Sequence, residues 1–156
     1  MKKILAFFSI FIFSFSLVSA SHPISLSLWE NISYPKDSEI SGLELGLGSF
    51  LSKLKGIQLN FFLSESEEGV GAEIGLINVS SNFKGLQFGC LNIGQNLYKG
   101  FQLGFVNIAE KEIKGFQLGF FNYAHTGEHF VCQLGLINCL KNSIIYEWFP
   151  FVNILF

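Results

Sequence analysis

From Gly42 onward the chain alternates apolar and polar residues with period two, inside a longer period of 14 to 16 residues. In the window Ile113 to Tyr123, one parity carries Lys114, Phe116, Leu118, Phe120 and Asn122. The other carries Ile113, Gly115, Gln117, Gly119, Phe121 and Tyr123. Such alternation predicts a β-strand. The phrase Gly115-Phe116-Gln117-Leu118-Gly119-Phe120-Phe121-Asn122 has near copies at 100–107 and 131–138, and weaker ones throughout. The unit begins at Gly42, Gly56, Gly71, Gly85, Gly100, Gly115, Val131 and Tyr146, with gaps of 14, 15, 14, 15, 15, 16 and 15 residues. Its defining positions are Gly85, Gln87, Gly89 and Asn92; Gly100, Gln102, Gly104 and Asn107; Gly115, Gln117, Gly119 and Asn122; and Gln133, Gly135 and Asn138. Glu44 and Glu73 stand where other units have Gln. The first two units and the last are degraded; the second has Asn60 in the Gly place and Leu63 in the Asn place.

Each unit reads as a strand of about 11 residues and a short polar turn, so the fold class is all-β. Ile24-Ser25-Leu26-Ser27-Leu28 predicts one more strand ahead of a polar loop over Asn31 to Ser41. Two architectures use such a repeat. A β-solenoid stacks like on like, one coil per unit. An antiparallel meander of about eight to nine strands closes into a barrel without exposed edges. An 11-residue straight run plus four turn residues leaves no length for a return strand, which favours the closed or nearly closed barrel, with the solenoid as the alternative.

An eight-stranded barrel has an interior just wide enough to be filled by side chains. Three large residues per strand do not fit there, so Phe101, Leu103, Phe105, Phe116, Leu118 and Phe120 are expected to face membrane lipid, and Gln102 and Gln117 to face inward. Lys55, Lys84, Lys99 and Lys114 lie on the bulky parity at strand ends, where their stems can snorkel to an interface. In the solenoid, Phe101, Leu103 and Phe105 are instead expected to line a dry core, with Gly104 outside.

Composition narrows the function. Only 14% of the 156 residues are charged and none is Arg, so the basic patch a nucleic-acid partner needs is missing. Lys2, Lys3, the apolar run Ile4 to Val18 and the small residues Val18-Ser19-Ala20 form a secretory signal peptide, residues 1–20, leaving 21–156 as a single β-repeat domain. Without Lys2 and Lys3, eight lysines face twelve acids, a formal charge of −4. Cys90, Cys132 and Cys139 are an odd set. On one straight strand Cys132 and Cys139 would stand roughly 23 Å apart, beyond bridging distance.

Candidate chemistry is sparse. His125, Glu128 and His129 fall in a turn, without the helical geometry that would bring both imidazoles to a metal. Glu65, Glu67 and Glu68 read as a solvated turn. Glu44 and Glu73 are candidate inward-facing acids of raised pKa, with no general-acid partner in sight. No catalytic, metal or cofactor site is expected.

The repeat Gly85-Leu86-Gln87-Phe88-Gly89-Cys90-Leu91-Asn92 and its neighbours resemble bacterial surface-repeat proteins built on a Gly-Leu-Gln-Leu-Gly-Leu-Val-Asn phrase. The opening Ile24-Ser25-Leu26-Ser27-Leu28-Trp29-Glu30-Asn31 and the closing Trp148-Phe149-Pro150-Phe151-Val152-Asn153 are similar to that family's two ends. The C-terminal strand ending in Phe156 also resembles the assembly signal of outer-membrane barrels. These resemblances imply export to a bacterial outer membrane or envelope surface and no enzymatic activity.

Overall fold

The computed structural model describes residues 22–29, 32–34, 39–143 and 146–156; the expected signal peptide, 1–20, lies outside them. The described chain is all-β: β1 (His22–Trp29), β2 (Ile32–Tyr34), β3 (Glu39–Ile74), β4 (Ile77–Leu118), β5 (Phe121–Leu140) and β6 (Trp148–Leu155). Two of these fall where the sequence predicted only a loop, since β2 and the start of β3 lie within 31–41.

Strand pairing decides the architecture. β3, β4 and β5 pair in parallel, and each residue meets its counterpart one repeat away: Gly71 with Gly85, Glu73 with Gln87, Asn107 with Asn122, Gln117 with Gln133. The fold is therefore a β-solenoid of about five turns, and not an antiparallel barrel. The barrel expectation failed because it took the 11-residue run as straight. The chain bends at the second glycine of the phrase, most sharply at Gly75–Leu76 and Gly119–Phe120. Beyond the bend it runs back along the opposite wall. Gln117 Nε2 donates to Tyr123 O at 3.1 Å and Gln133 Nε2 to Cys139 O at 3.0 Å, each across six residues. On a straight strand those groups would be about 20 Å apart.

The first glycine of the phrase is required by close approach. Gly42, Gly56, Gly71, Gly85, Gly100 and Gly115 stack with φ between 132° and 151°, a region L side chains avoid. A Cβ on Gly100 would lie 2.0 Å from the carbonyl oxygen of Gly85. The column ends at Val131, where the 16-residue gap and a register shift between Ile113 and Gly115 absorb the extra residue.

The interior has two zones. Beside the turns lies an apolar core of Leu54, Phe83, Tyr98, Ile113 and Leu140, with small Ala109 and Ala124 among them. Phe83 and Tyr98 stack at 5.9 Å. Between the two walls, the interior is filled by Gln and Asn. Both ends of the sheet turn antiparallel, β2 on β1 and β6 on β5.

Candidate functional site

The inner polar residues form two columns. Gln133, Gln117 and Gln102 each donate to the Oε1 of the Gln one coil below, at 2.7–2.8 Å, and Gln87 donates to Glu73 Oε2 at 2.8 Å. On the facing wall Asn78, Asn92, Asn107 and Asn122 each donate to the Oδ1 of the Asn one coil above, at 2.8 Å, ending on Asn138. All are fully buried. The second N–H of most of these amides goes to a main-chain carbonyl, as in Asn107 to Leu118 O at 3.0 Å. Parallel stacking makes this possible. Identical amides at one strand spacing offer each other one donor and one acceptor, so the amides inside each column are satisfied by their neighbours, while the column-end acceptors Asn78 Oδ1 and Gln133 Oε1 are left without a partner.

Sequence reasoning missed the polar partners that replace Asn and Gln in the N-terminal coils. Ser64, and not Leu63, pairs with Asn78 and turns inward; Leu63 pairs with Ile77. One extra residue before Ser64 shifts the phase, and only the hydroxyl two places from Ser66 on the same parity hints at it. Asn60 is buried, donating to Glu44 Oε2 at 3.0 Å and Ser49 Oγ at 2.8 Å. Ser27 and Ser66 donate to Glu44 and Glu73. Burial pushes both carboxyls up, Glu73 to about 8, against the pull of their hydrogen bonds.

The outer surface is apolar. Phe101, Phe105, Leu118 and Phe120 are 49–60% exposed, while Leu103 and Phe116 are half-buried. The solenoid expectation of a core lined by Phe101, Leu103 and Phe105 is thus corrected: the gap between walls is one amide side chain wide and already filled. Phe101 stacks on Phe116 and Phe105 on Phe120, both with ring centroids 4.8 Å apart, the spacing of adjacent strands. The six residues are divided by the Gly104 and Gly119 bends. Phe101, Leu103, Phe116 and Leu118 lie on the first wall, Phe105 and Phe120 on the second.

One edge of the first wall is basic. Lys84, Lys99 and Lys114 immediately precede the stacked Gly85, Gly100 and Gly115, so they form a column one strand spacing apart. None makes an ion pair among the described residues, where Lys53–Glu39 and Lys141–Glu147 are the ion pairs seen.

No family model, characterised protein or solved structure matches the chain. The reading therefore rests on the geometry. Among the described residues no group of His, Cys, Asp and Glu is arranged to hold a metal ion. His125 and His129 are exposed and Glu128 half-buried in their turn. Cys132 and Cys139 are buried free thiols, and Cys90 is exposed. The straight-strand separation of Cys132 and Cys139 does not hold, because they lie on opposite walls of one coil. No helix among the described residues is long and apolar enough to cross a membrane.

Proposed function

We propose that the protein is a non-enzymatic, exported envelope component of the surface-repeat kind, which lies on an anionic lipid surface by the first wall of its solenoid. The membrane-spanning barrel is set aside with the fold that required it. One observation carries the reading: the stacked Phe101 and Phe116, the first exposed and the second half-buried, run beside the column Lys84, Lys99 and Lys114, which makes no ion pair among the described residues. Aromatic and aliphatic groups flanked by lysines are the chemistry of an interfacial protein, whose apolar side enters the acyl boundary while the ammonium groups meet phosphates. At about 1 kcal/mol for each of the three lysines near such a surface, and roughly as much for each of Phe101, Phe116 and Leu118 removed from water, the wall supplies about 6 kcal/mol. That corresponds to a dissociation constant of the order of 10–100 μM in lipid.

Export and an envelope location are part of the same proposal. The N-terminal apolar run and the resemblance of the repeat phrase support them. Sedimentation with vesicles tests the lipid reading. Binding to vesicles containing phosphatidylglycerol, weaker binding to phosphatidylcholine alone, and loss on Phe101→Ser/Phe116→Ser are expected. Equal binding of the double variant would place the contact elsewhere. An absence of vesicle binding would favour an apolar protein partner for the same wall.

A further inference from the structure

The Gln column changes character toward its N-terminal end. A Cβ on Gly71 would lie 1.8 Å from Gly56 O, and one on Gly56 would lie 2.0 Å from Gly42 O. These glycines therefore stack directly. Two residues further along each coil, Glu73 stands over Gln58 and Gln58 over Glu44, all three fully buried. Higher in the column, every Oε1 that has a Gln above it receives that Gln's N–H, as Gln87 does from Gln102. Gln58 Oε1 has no hydrogen-bond partner. Its amide nitrogen is directed to Ser49 Oγ at 2.8 Å, with longer contacts to the Ser49 and Glu65 carbonyls.

The group above this orphan acceptor is a carboxyl. A carboxylate would oppose it with lone pairs alone, whereas a carboxylic acid has one O–H to give. Glu73 is already an acceptor on both oxygens, from Gln87 at Oε2 and from Ser66 at Oε1. An oxygen that accepts from Ser66 can also carry the proton.

We propose that Glu73 stands in the column as a neutral acid whose O–H donates to Gln58 Oε1, and that losing this proton loosens the solenoid between the coils that begin at Gly56 and Gly71. Burial favours the neutral form, against the hydrogen bonds from Ser66 and Gln87, which favour the carboxylate. Glu65, on the facing wall, adds a like charge that also raises the Glu73 pKa. Tyr98, from β4, is the other titratable group it influences; that hydroxyl is bound to Gly85 O and Phe101 O and is held neutral by burial. Glu44, two coils below, is bound to Ser27 and Asn60.

The sign follows from the raised pKa. Between about 4.5, the ordinary value, and about 8, the folded chain holds a proton that the unfolded chain has released. The stability this proton confers is complete below the lower value and is lost as pH rises through the upper one. The unfolding equilibrium constant then grows up to about tenfold per pH unit across that window.

The experiment follows the urea midpoint from pH 5 to pH 9, together with the carboxylic-acid C=O stretch in the infrared spectrum in heavy water. Wild type should lose midpoint as pH rises and show an acid band at pH 6 that is gone by pH 9. Glu73→Gln restores an N–H above Gln58 and keeps one oxygen as the acceptor for Gln87, while the Ser66 hydroxyl, which faced the other oxygen, turns to accept from the new amide as Ser80 does from Gln87. It should flatten the pH dependence and remove the Glu73 band. Glu44→Gln should keep the Glu73 band and the part of the slope that Glu73 carries, removing only what the raised Glu44 carboxyl adds. A wild-type slope and band persisting in Glu73→Gln would overturn the proposal, as would a wild type with no acid band at pH 6. Should Glu73→Gln fail to fold, Glu44→Gln decides: a band present at pH 6 and lost by pH 9 supports the lock, and its absence at pH 6 overturns it.

Discussion

Replacing Gln117 by Leu tests whether the amide columns hold the walls together or merely occupy the space between them. Gln117 is in the middle of its column. It donates to Gln102 Oε1 at 2.8 Å and Tyr123 O at 3.1 Å, and accepts from Gln133 Nε2 at 2.7 Å. Leucine leaves two buried acceptors and one N–H without partners. Each such group costs about 1–3 kcal/mol, and the apolar side chain returns roughly 1–2, so a net loss of about 1–8 kcal/mol, centred near 4–5, is expected. Gln133→Leu is the internal control. Its Oε1 is already unpartnered, so the change orphans two acceptors, Gln117 Oε1 and Cys139 O, and no donor. It should cost about 1–2 kcal/mol less than the central replacement. Coils of a stacked array contact only their neighbours and need not unfold together, so native-state amide hydrogen exchange is a better assay than a single melting point. Protection should fall most in the coils beginning at Gly100 and Gly115. A Gln117→Leu protein within about 1 kcal/mol of wild type, or equal losses at the two positions, would refute the reasoning and mean that the walls tolerate an apolar filling.

Other outcomes follow from the same geometry. Gly100→Ala puts a methyl group about 2 Å from the Gly85 carbonyl at a φ of 141° and should prevent the soluble fold or lower its midpoint by at least about 2 kcal/mol, read by urea denaturation. Leu118→Lys, on a half-exposed position, should leave stability within about 0.5 kcal/mol while changing vesicle binding; a loss of several kcal/mol would place Leu118 in a core. Replacing Lys84, Lys99 and Lys114 by Gln should remove the preference for phosphatidylglycerol and flatten the salt dependence of vesicle sedimentation. Cys90 should react with a maleimide in the folded protein, whereas Cys132 and Cys139, buried with thiol pKa values pushed up, should react only on unfolding.

The repeat, the all-β class and the parity of Gln102 and Gln117 against Phe101 and Leu118 were legible in the sequence. The bend at Gly104 and Gly119 was not. A glycine inside an alternating run is as compatible with a straight strand as with a corner, and the choice between barrel and solenoid turned on it. The solenoid alternative also carried a wrong premise, that its inside is apolar. Hydrophobicity alone assigns Phe101 and Phe105 to the interior. Amides repeated at one place in every coil can satisfy one another, and this reverses that assignment once the strands are parallel. Ser64 was hidden by a one-residue change of phase that no fixed period predicts. Glu44 and Glu73 were visible as replacements for Gln, but the empty acceptor on Gln58 between them is a property of stacking and exists only in three dimensions.

The two columns also point in opposite senses. Gln side chains donate toward the N-terminal end of the stack and Asn side chains toward the C-terminal end. A single column of aligned amides would behave like a helix, whose peptide dipoles of about 3.5 D add head to tail into partial charges at its ends. Here each coil from Gly85 onward contributes one dipole of either sense, and they cancel within the coil. Lengthening the array by further units would therefore build no field along its axis. As far as its interior is concerned, coils can be added or removed without a field building up, and the antiparallel strands β2 and β6 lie at the two edges of the described sheet.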